Sequence, residues 1–477
     1  MARELWEHDA WELADAVRAG QQSATRLLEV SLQRLEQYGP ALNAVSHLDA
    51  DAASARANEI DEQVARGDDP GVFAGIPMGV KELAEVEGWP CTHASLPYRD
   101  ARAGFDCAEV ARLRDAGAVI TAQTTSPEHG TVSFTNSPLH GVTRNPWNTD
   151  RTPGGSSGGS AASVASGVFP ACTGSDGGGS IRIPSSYSGL FGMKATLGLL
   201  GTGPEPSGYP SLTSVHGPIV RSVRDAARYL DATSGPTMTD FISLPKPAIA
   251  FEELLATGEA VERLRGKRAA WSATLGYAVT DPEVEKQAHE AALALVELAG
   301  LELVEIPVEM PKPGLSWGIL SSLGTAAWHL DNVREHFDDL TEVHRAGMEM
   351  MANLQGRGVF KAIRRRHELL EAAAEVWSQV DVLLTPTTPT AAFEAEGRMV
   401  GEVAGQQVNL MGLSAAFTAP FNMTGQPASS IPCGLVDGMP VALQVVARRH
   451  EDELCLAAGA LLEDDRPWPK FAPLAYE

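Results

Sequence analysis

The sequence Pro153-Gly-Gly-Ser-Ser-Gly-Gly159 is followed closely by Gly174-Ser-Asp-Gly-Gly-Gly-Ser180. Glycine loses more conformational freedom on folding than any other residue, so two such clusters need a local reason. The usual reasons are tight backbone curvature and a ligand group that approaches bare N–H groups. A serine that ends Gly-Gly-Gly combines a free hydroxyl with amides able to bind a developing oxyanion. The two segments therefore predict a loop with a chemical task.

The stretch between the two clusters distinguishes such a loop from a flexible linker. Residues 160–172 read Ser-Ala-Ala-Ser-Val-Ala-Ser-Gly-Val-Phe-Pro-Ala-Cys, which are small or apolar and carry no charge. A solvated linker is rich in polar and charged residues and cannot bury enough apolar surface to order itself. This stretch instead predicts a helix packed tightly into an α/β core.

Composition limits the class of protein. The chain has 477 residues, 44% of them hydrophobic and 21% charged, as in an ordinary globular protein. Its net charge of −24 argues against nucleic acid or an anionic membrane as a partner. We therefore expect a small-molecule substrate, no nucleic-acid or membrane partner, and leave formation of a homodimer open.

Compartment and redox state follow from cysteine usage and from the N-terminus. The cysteines show no CxxC spacing, which predicts reduced thiols rather than disulfides or a zinc site. They are Cys91, Cys107, Cys172, Cys433 and Cys455. The first residues contain no apolar signal segment, and no uninterrupted apolar run reaches transmembrane length. A cytoplasmic location is expected.

Helix and strand patterns alternate along the chain. Amphipathic helices are predicted at 23–38, ended by Gly39-Pro40, and at 50–66. A helix from Asp106 has an Asp-x-x-Glu start in which Glu109 closes a capping box. Later strands are predicted at 301–308, 380–384, 429–432 and 441–447, with helices at 281–300 and 451–462.

This alternation predicts an α/β fold with a mixed or mostly parallel sheet. No linker divides the chain, so residues 1–477 are expected to form a single domain. Within it we expect N-terminal helices over about 1–67, a catalytic core over about 68–235, and a helical, cap-forming region over about 315–378.

A nucleophilic serine needs a base. Gly155-Ser-Ser-Gly-Gly159 fits the G-x-S-x-G nucleophile elbow at Ser157, but that elbow follows a buried strand, and residues 145–153 cannot form one. The alternative base is Lys81, which ends the apolar run Gly75-Ile-Pro-Met-Gly-Val-Lys81. Burial lowers the pKa of a lysine until its neutral amine can accept a proton. The competing interpretation is an ordinary surface lysine at a strand end.

Three ordered motifs resemble the amidase signature family. They are G-[IV]-P-x-x-x-K at 75–81, G-G-S-S-G-G at 154–159, and D-x-G-G-S-[IV]-R-x-P at 176–184. Supporting matches lie at 143–148, Thr-Arg-Asn-Pro-Trp-Asn, and at 417–427. The likeness spans roughly residues 23–462, and the interval of 75 residues between Lys81 and Ser156 is typical of the family.

The resemblance implies a large mixed, mostly parallel sheet covered by helices on both faces. It also implies a catalytic triad: Lys81 as base, Ser156 as the bridging serine in a cis peptide bond, and Ser180 as nucleophile. The amides of Gly177, Gly178, Gly179 and Ser180 would hold the oxyanion. No metal or organic cofactor is expected.

Asp176 and Arg182 bracket the nucleophile. The resemblance makes them structural partners that support the loop, whereas on the residues alone they could form a surface ion pair. Three neighbouring positions depart from the family pattern, which bears on pocket shape: Ser175, Ala195 and Thr125.

The substrate class depends on one position near the C-terminal motif. In the glutamine-hydrolysing component of tRNA-dependent amidotransferases an aspartate precedes Phe-Thr-x-Pro, but here Ala415 stands at that place. The chain is more similar to 6-aminohexanoate cyclic-dimer hydrolases and aryl acylamidases. That likeness predicts hydrolysis of small apolar or aryl amides through a serine acyl-enzyme, with activity on esters or carbamates. The amidotransferase component remains the alternative.

Pocket residues are the least defined by sequence. The candidates are His129, Phe134, Tyr209 and Trp317. The histidines His329, His336 and His344 lack tight metal spacing and are expected on a solvated helix face.

Overall fold

A computed structural model describes residues 3–204 and 212–477. Its strands are β1 Val45–Leu48, β2 Pro77–Lys81, β3 Val119–Thr124, β4 Asn136–Ser137, β5 Gly141–Val142, β6 Ala171–Asp176, β7 Phe191–Lys194, β8 Val215–Val220, β9 Arg268–Trp271, β10 Glu302–Leu303, β11 Val382–Pro386, β12 Val400–Val403, β13 Gln406–Asn409, β14 Ala428–Val436 and β15 Met439–Ala447.

Its α-helices are α1 Ala10–Arg18, α2 Ala24–Leu42, α3 Ala50–Arg66, α4 Ala108–Asp115, α5 Gly158–Ala165, α6 Arg182–Ser188, α7 Val223–Thr233, α8 Phe251–Ala256, α9 Glu259–Leu264, α10 Pro282–Ala299, α11 Gly314–Arg334, α12 Glu342–Ala352, α13 Gly356–Trp377, α14 Ala419–Thr424 and α15 Asp452–Asp465. The predicted helical region at 315–378 corresponds to α11, α12 and α13.

Eleven strands form one mixed sheet in the order β1-β3-β2-β6-β8-β7-β14-β15-β11-β9-β10, as the predicted α/β class requires. Parallel pairs are fewer than expected, because only four of the ten pairings in this sheet are parallel. One reason is the hairpin of β14 and β15. Its turn at Asp437-Gly438 has positive φ at both residues, which suits a tight antiparallel connection.

Helices cover both faces of the sheet. Along β11, Val382 and Leu384 pack into a core cluster that includes α10 and α15, whereas Leu383 packs into a second cluster with α13 and α14. Successive side chains of a strand point to opposite faces, so these clusters lie on opposite sides of the sheet. The sheet is therefore buried on both faces, as the resemblance implied.

Two boundaries differ from the sequence prediction. Helix α2 has Ser23 as N-cap but passes Pro40 and ends at Leu42. The C-cap Asn43 has a left-handed conformation and donates its amide to Gly39 O, which closes the last turn. Proline removes one N–H from the helix, and here that loss is confined to the final turn. The strand predicted at 301–308 shrinks to β10, because it lies at the sheet edge and Pro307 cannot donate to a ladder.

The first half of the uncharged stretch at 160–172 lies in the buried helix α5, as predicted, but the helix ends at Ala165 and the stretch runs on into β6. Every residue of α5 is buried. A side chain at Gly159 would lie 2.4 Å from the amide nitrogen of Thr125, so only glycine permits this close packing. Helix α5 thus fixes the loop that carries Ser156 against β3. No helix among residues 3–204 and 212–477 is both long and apolar enough to cross a membrane.

Candidate active site

Lys81 is the last residue of β2 and lies in the middle of the sheet beside β6. It is 1% exposed. Its Nζ donates to Ser156 Oγ at 2.8 Å and to Ser175 Oγ at 2.9 Å. Its backbone amide donates to Thr173 Oγ1. The strand end therefore holds the amine against two hydroxyl groups, and the surface-lysine interpretation does not apply.

Burial decides the protonation of this amine. Desolvation lowers the pKa of Lys81 to about 7, against smaller upward contributions from Asp176 and Glu109. A substantial fraction of Lys81 is therefore neutral near pH 7. A neutral amine can accept a proton from the hydroxyl it contacts.

Ser156 is buried, and the Gly155–Ser156 peptide bond is cis. A side chain added at Gly130 would lie 3.0 Å from Ser156 Oγ, so the 128–130 turn packs directly on this hydroxyl. Ser157 is fully buried and does not line the cavity described below. The nucleophile-elbow interpretation placed its reactive group at Ser157, where no substrate can reach.

Asp176 and Arg182 form a fully buried ion pair under the second glycine cluster. Arg182 Nη2 donates to Asp176 Oδ1 at 2.8 Å, and Nε donates to Oδ2 at 2.9 Å. Arg182 also donates to Asn422 Oδ1 and to Gln444 Oε1, both at 2.7 Å. Burial alone would raise the pKa of Asp176, but Arg182 holds it well below its usual range. The pair is not on the surface.

The same carboxylate shapes the glycine loop. The amide of Gly179 donates to Asp176 Oδ1 at 2.7 Å. The Gly179 amide is therefore not free to bind an oxyanion, and the expectation that all four amides do so is wrong for this residue. The amides of Gly177, Gly178 and Ser180 donate to no residue in the described part of the chain.

A cavity of about 750 Å³ opens over this loop. Ser156, Ser175 and the partly exposed Ser180 line it, as do Trp317 and Ala415. Trp317, on α11, donates from Nε1 to Gly177 O at 2.8 Å, and its ring lies where a side chain of residue 178 would be. The structure thus joins Lys81 to Ser156 and places both serines and one of the predicted pocket aromatics in the wall of one cavity.

Of the three histidines expected on a solvated helix face, His336 is exposed as expected, whereas His329 and His344 are not. His344 is buried, and its ring stacks on His129 with centroids 4.4 Å apart and planes 12° apart. His93 stacks on the other side of His129, and His329 accepts or donates a hydrogen bond with Tyr98 OH at 2.8 Å. All four imidazoles line the cavity. Tertiary contacts between α11, α12 and two loops create this cluster, so helix periodicity could not reveal it.

The stacked imidazoles are unsuited to a metal. Ring nitrogen lone pairs lie in the ring planes, so nearly parallel rings cannot both direct them at one ion. Within the described ranges no group of three or more His, Cys, Asp or Glu side chains could hold a metal ion. Burial lowers the pKa of His344 to about 4 and that of His93 to about 4, so the cluster is neutral at pH 7.

The remaining pocket candidates divide. His129 lines the cavity, but Phe134 is not among the lining residues. Its ring packs against Phe393, and over Gly397, where a side chain would lie 2.2 Å from it. Tyr209 lies outside the described residues.

The amidase family model matches residues 26–456. The chain therefore belongs to the amidase family, whose members are hydrolases acting on amide bonds. An acylamidase of Rhodococcus erythropolis is 34% identical over 97% of this chain and 96% of its own length. One component of the glutamyl-tRNA(Gln) amidotransferase of Cupriavidus pinatubonensis is 32% identical over 96% of each chain.

Solved structures agree. A bacterial aryl acylamidase of the amidase signature family superposes with a TM-score of 0.90 at 27% identity, covering 98% of both chains. A 6-aminohexanoate cyclic dimer hydrolase superposes with a TM-score of 0.87 at 29% identity, covering 100% of both. The family and its fold, inferred from the motifs, are confirmed.

Proposed function

We propose that this protein hydrolyses amides of small apolar or aryl compounds, with Ser180 as nucleophile, Ser156 as proton bridge and Lys81 as base. The observation that carries the proposal is the 2.8 Å contact from the buried Lys81 amine to Ser156 Oγ, in a cavity that Ser180 also lines. A general base must lie within hydrogen-bond reach of the proton it takes and be neutral near the working pH. Lys81 meets both requirements.

The reaction begins when Ser180 Oγ attacks the carbonyl carbon. The Ser180 proton passes to Ser156 as the Ser156 proton passes to Lys81. The amides of Gly177, Gly178 and Ser180 are the donors for the oxyanion, since Gly179 is bound to Asp176. Loss of one such donor typically costs about 10²–10³ in rate.

The leaving amine then takes a proton back along the same path, which restores neutral Lys81. Water then attacks the acyl-enzyme while its proton passes through Ser156 to Lys81. The bond between Ser180 Oγ and the acyl carbon breaks, Oγ takes the proton back along the same path, and the acid leaves. Asp176 and Arg182 hold the loop in shape, since they are buried beneath it and bind its backbone. Esters and carbamates present the same trigonal carbonyl, so we propose them as secondary substrates.

Two observations favour an apolar or aryl substrate. The Trp317 side chain and the four flat imidazole rings form part of the cavity wall. Burial of an apolar ligand surface contributes about 25 cal/mol per Å². Similar proteins include an acylamidase and an aryl acylamidase, which supports the same class of substrate.

Glutamine hydrolysis for an amidotransferase is the alternative, because an amidotransferase component is 32% identical to this chain over 96% of its length. Ala415 argues against it, since it lines the cavity where a carboxylate would meet the substrate ammonium group. A charge-assisted hydrogen bond of that kind is worth about 1.5–3 kcal/mol.

Steady-state kinetics on acetanilide and on L-glutamine test the assignment. We expect kcat/KM for the anilide to exceed that for glutamine by at least about tenfold, as loss of one charged contact implies. The matched variant Ala415→Asp should narrow this ratio. A glutamine preference in the wild-type protein would replace the proposal by the amidotransferase function.

A further inference from the structure

Glu109 does not take the place that its sequence position suggests. Helix α4 begins at Ala108 with Cys107 as its N-cap, so the capping box of Asp106 and Glu109 does not form. Glu109 is instead 5% exposed and points toward the sheet. A buried carboxylate is costly unless it is paired and hydrogen-bonded. Its presence beside the active-site strands therefore calls for an explanation.

Two side chains from other elements bind this carboxylate. Tyr229, on α7, donates its hydroxyl to Glu109 Oε1 at 2.6 Å. His216, on β8, places Nδ1 3.0 Å from Glu109 Oε2. A carboxylate that orients an imidazole through Nδ1 leaves the other ring nitrogen available to the cavity, and His216 lines the cavity. Glu109 and His216 form a dyad that the steps above do not use.

The dyad is adjacent to Lys81. His216 lies directly opposite Ser175 in the antiparallel pairing of β6 and β8. Side chains of directly opposed residues lie on one face with Cβ atoms about 4.5–5.5 Å apart. Ser175 Oγ is the 2.9 Å acceptor of Lys81 Nζ. The amine, the hydroxyl and the imidazole are therefore neighbours on one face of the sheet.

We propose that Glu109 and His216 are positioning residues for Lys81, a buried titratable charge pair beside the amine that stabilises its protonated form during the reaction. This inference rests on the proposed function, in which Lys81 becomes an ammonium group when Ser180 attacks. A negative charge nearby favours that ammonium group, and a positive charge opposes it. Glu109 supplies the first, and protonated His216 partly cancels it.

The surrounding charges are few. Asp176, from β6, and Glu109, from α4, both favour protonated Lys81. Burial lowers the pKa of His216, but Glu109, with help from Glu85, raises it above its ordinary value overall, and Lys81 opposes it.

Around Glu109 itself, Tyr229 donates to the carboxylate, and burial, with a smaller contribution from the charge of Glu109, raises the pKa of the Cys107 thiol. The charge of Glu109, offset by any proton on His216, therefore acts on Lys81.

The two dyad members predict opposite effects on the pH profile. Glu109→Gln removes the negative charge and lets His216 stay neutral, so Lys81 should lose its proton more readily and the acid limb should move to lower pH. His216→Gln leaves Glu109 ionised without a positive neighbour, so the acid limb should move to higher pH. Each shift should be about half to one pH unit, the low end of what a nearby charge produces. A merely structural role would lower the rate of both variants without moving the acid limbs of their pH profiles in opposite directions.

The experiment follows sulfonylation by phenylmethylsulfonyl fluoride from pH 5 to 9.5, using intact-mass spectrometry to count adducts. In this step the Ser180 Oγ–S bond forms, the S–F bond breaks, fluoride leaves, and the proton passes through Ser156 to Lys81. The proteins are wild type, E109Q, H216Q, K81M, S180A and Y229F. Y229F is the matched control, since it removes a neutral donor to Glu109 and should leave the acid limb in place.

Opposite shifts in E109Q and H216Q, with none in Y229F, support the inference. Unshifted limbs in both variants, or shifts in the same direction, overturn it. If E109Q is not folded by circular dichroism, the direction of the H216Q shift decides alone. If K81M is labelled slowly but the acid limbs of E109Q and H216Q do not shift, only the positioning role of the dyad is rejected. If K81M is labelled as fast as wild type, Lys81 is not the base, and the proposed function and the dyad are both rejected.

Discussion

The buried ion pair of Asp176 and Arg182, beneath the second glycine cluster, makes a sharp prediction about stability. Arg182→Met removes the cation and five side-chain hydrogen bonds, two of them to the carboxylate of Asp176. Both members are 0% exposed. Removal of one partner leaves an uncompensated buried charge, which costs about 3–5 kcal/mol. We expect the free energy of unfolding to fall by that amount at pH 7.

The matched control is Arg26→Met. Arg26 pairs with Glu29 at 2.9 Å on the exposed side of α2, where both side chains are at least half exposed. Surface pairs of this kind contribute less than about 1 kcal/mol. Urea unfolding followed by tryptophan fluorescence measures both variants against wild type.

The pH dependence of the same measurement has a definite sign. Since Arg182 holds the pKa of Asp176 below its usual range, the stability that it confers is present above the unfolded value, about 3.9, and is lost as pH falls. In R182M, burial without the cation raises the pKa of the Asp176 carboxyl, so the folded variant can protonate it, and the destabilisation should be smaller at pH 4 than at pH 7. A loss below about 1 kcal/mol at pH 7 would refute the argument that this pair supports the loop.

Three further results are expected. Lys81→Met should lower kcat by about 10²–10⁴, and a near-native rate in this variant would exclude Lys81 as the base. The wild-type rate should rise with pH through an apparent pKa near 7, because the proposed base is the neutral form of Lys81. Gly178→Ala should lower kcat/KM at least about tenfold, because its Cβ would lie 2.4 Å from the Trp317 ring. Gly177→Ala should change kcat/KM little, because its Cβ would meet no atom nearer than 3.9 Å. Equal losses of kcat/KM in the two alanine variants would contradict the packing argument.

The sequence predicted what local pattern and ordered motifs encode. The uncharged stretch after Gly159 begins as a buried helix, up to Ala165, and Lys81 and Ser156, distant in sequence, form a hydrogen bond. The helix follows from the composition of its own residues, whereas the pairing of Lys81 with Ser156 follows from the resemblance to the amidase signature family. Ser180 belongs to the third motif, at 176–184, and lines the same cavity as Ser156.

What the sequence could not predict depends on contacts between distant elements. Glu109 has the spacing of a cap, yet Tyr229 and His216 draw it inward. His344 has the spacing of a helix surface, yet α12 packs against the loop of His129. The amide of Gly179 is indistinguishable by sequence from its neighbours, but Asp176 takes its hydrogen bond. In each case the fold decides which hydrogen-bond or stacking partner the group meets.

Covalent labelling of the nucleophile tests the central claim most directly. Wild-type protein treated with a fluorophosphonate should gain one adduct, located by peptide mass spectrometry on Ser180. S180A should gain none while unfolding in urea at the wild-type midpoint, and S157A should be labelled as fast as wild type. An adduct on Ser157, or undiminished labelling of S180A, would contradict the proposed mechanism.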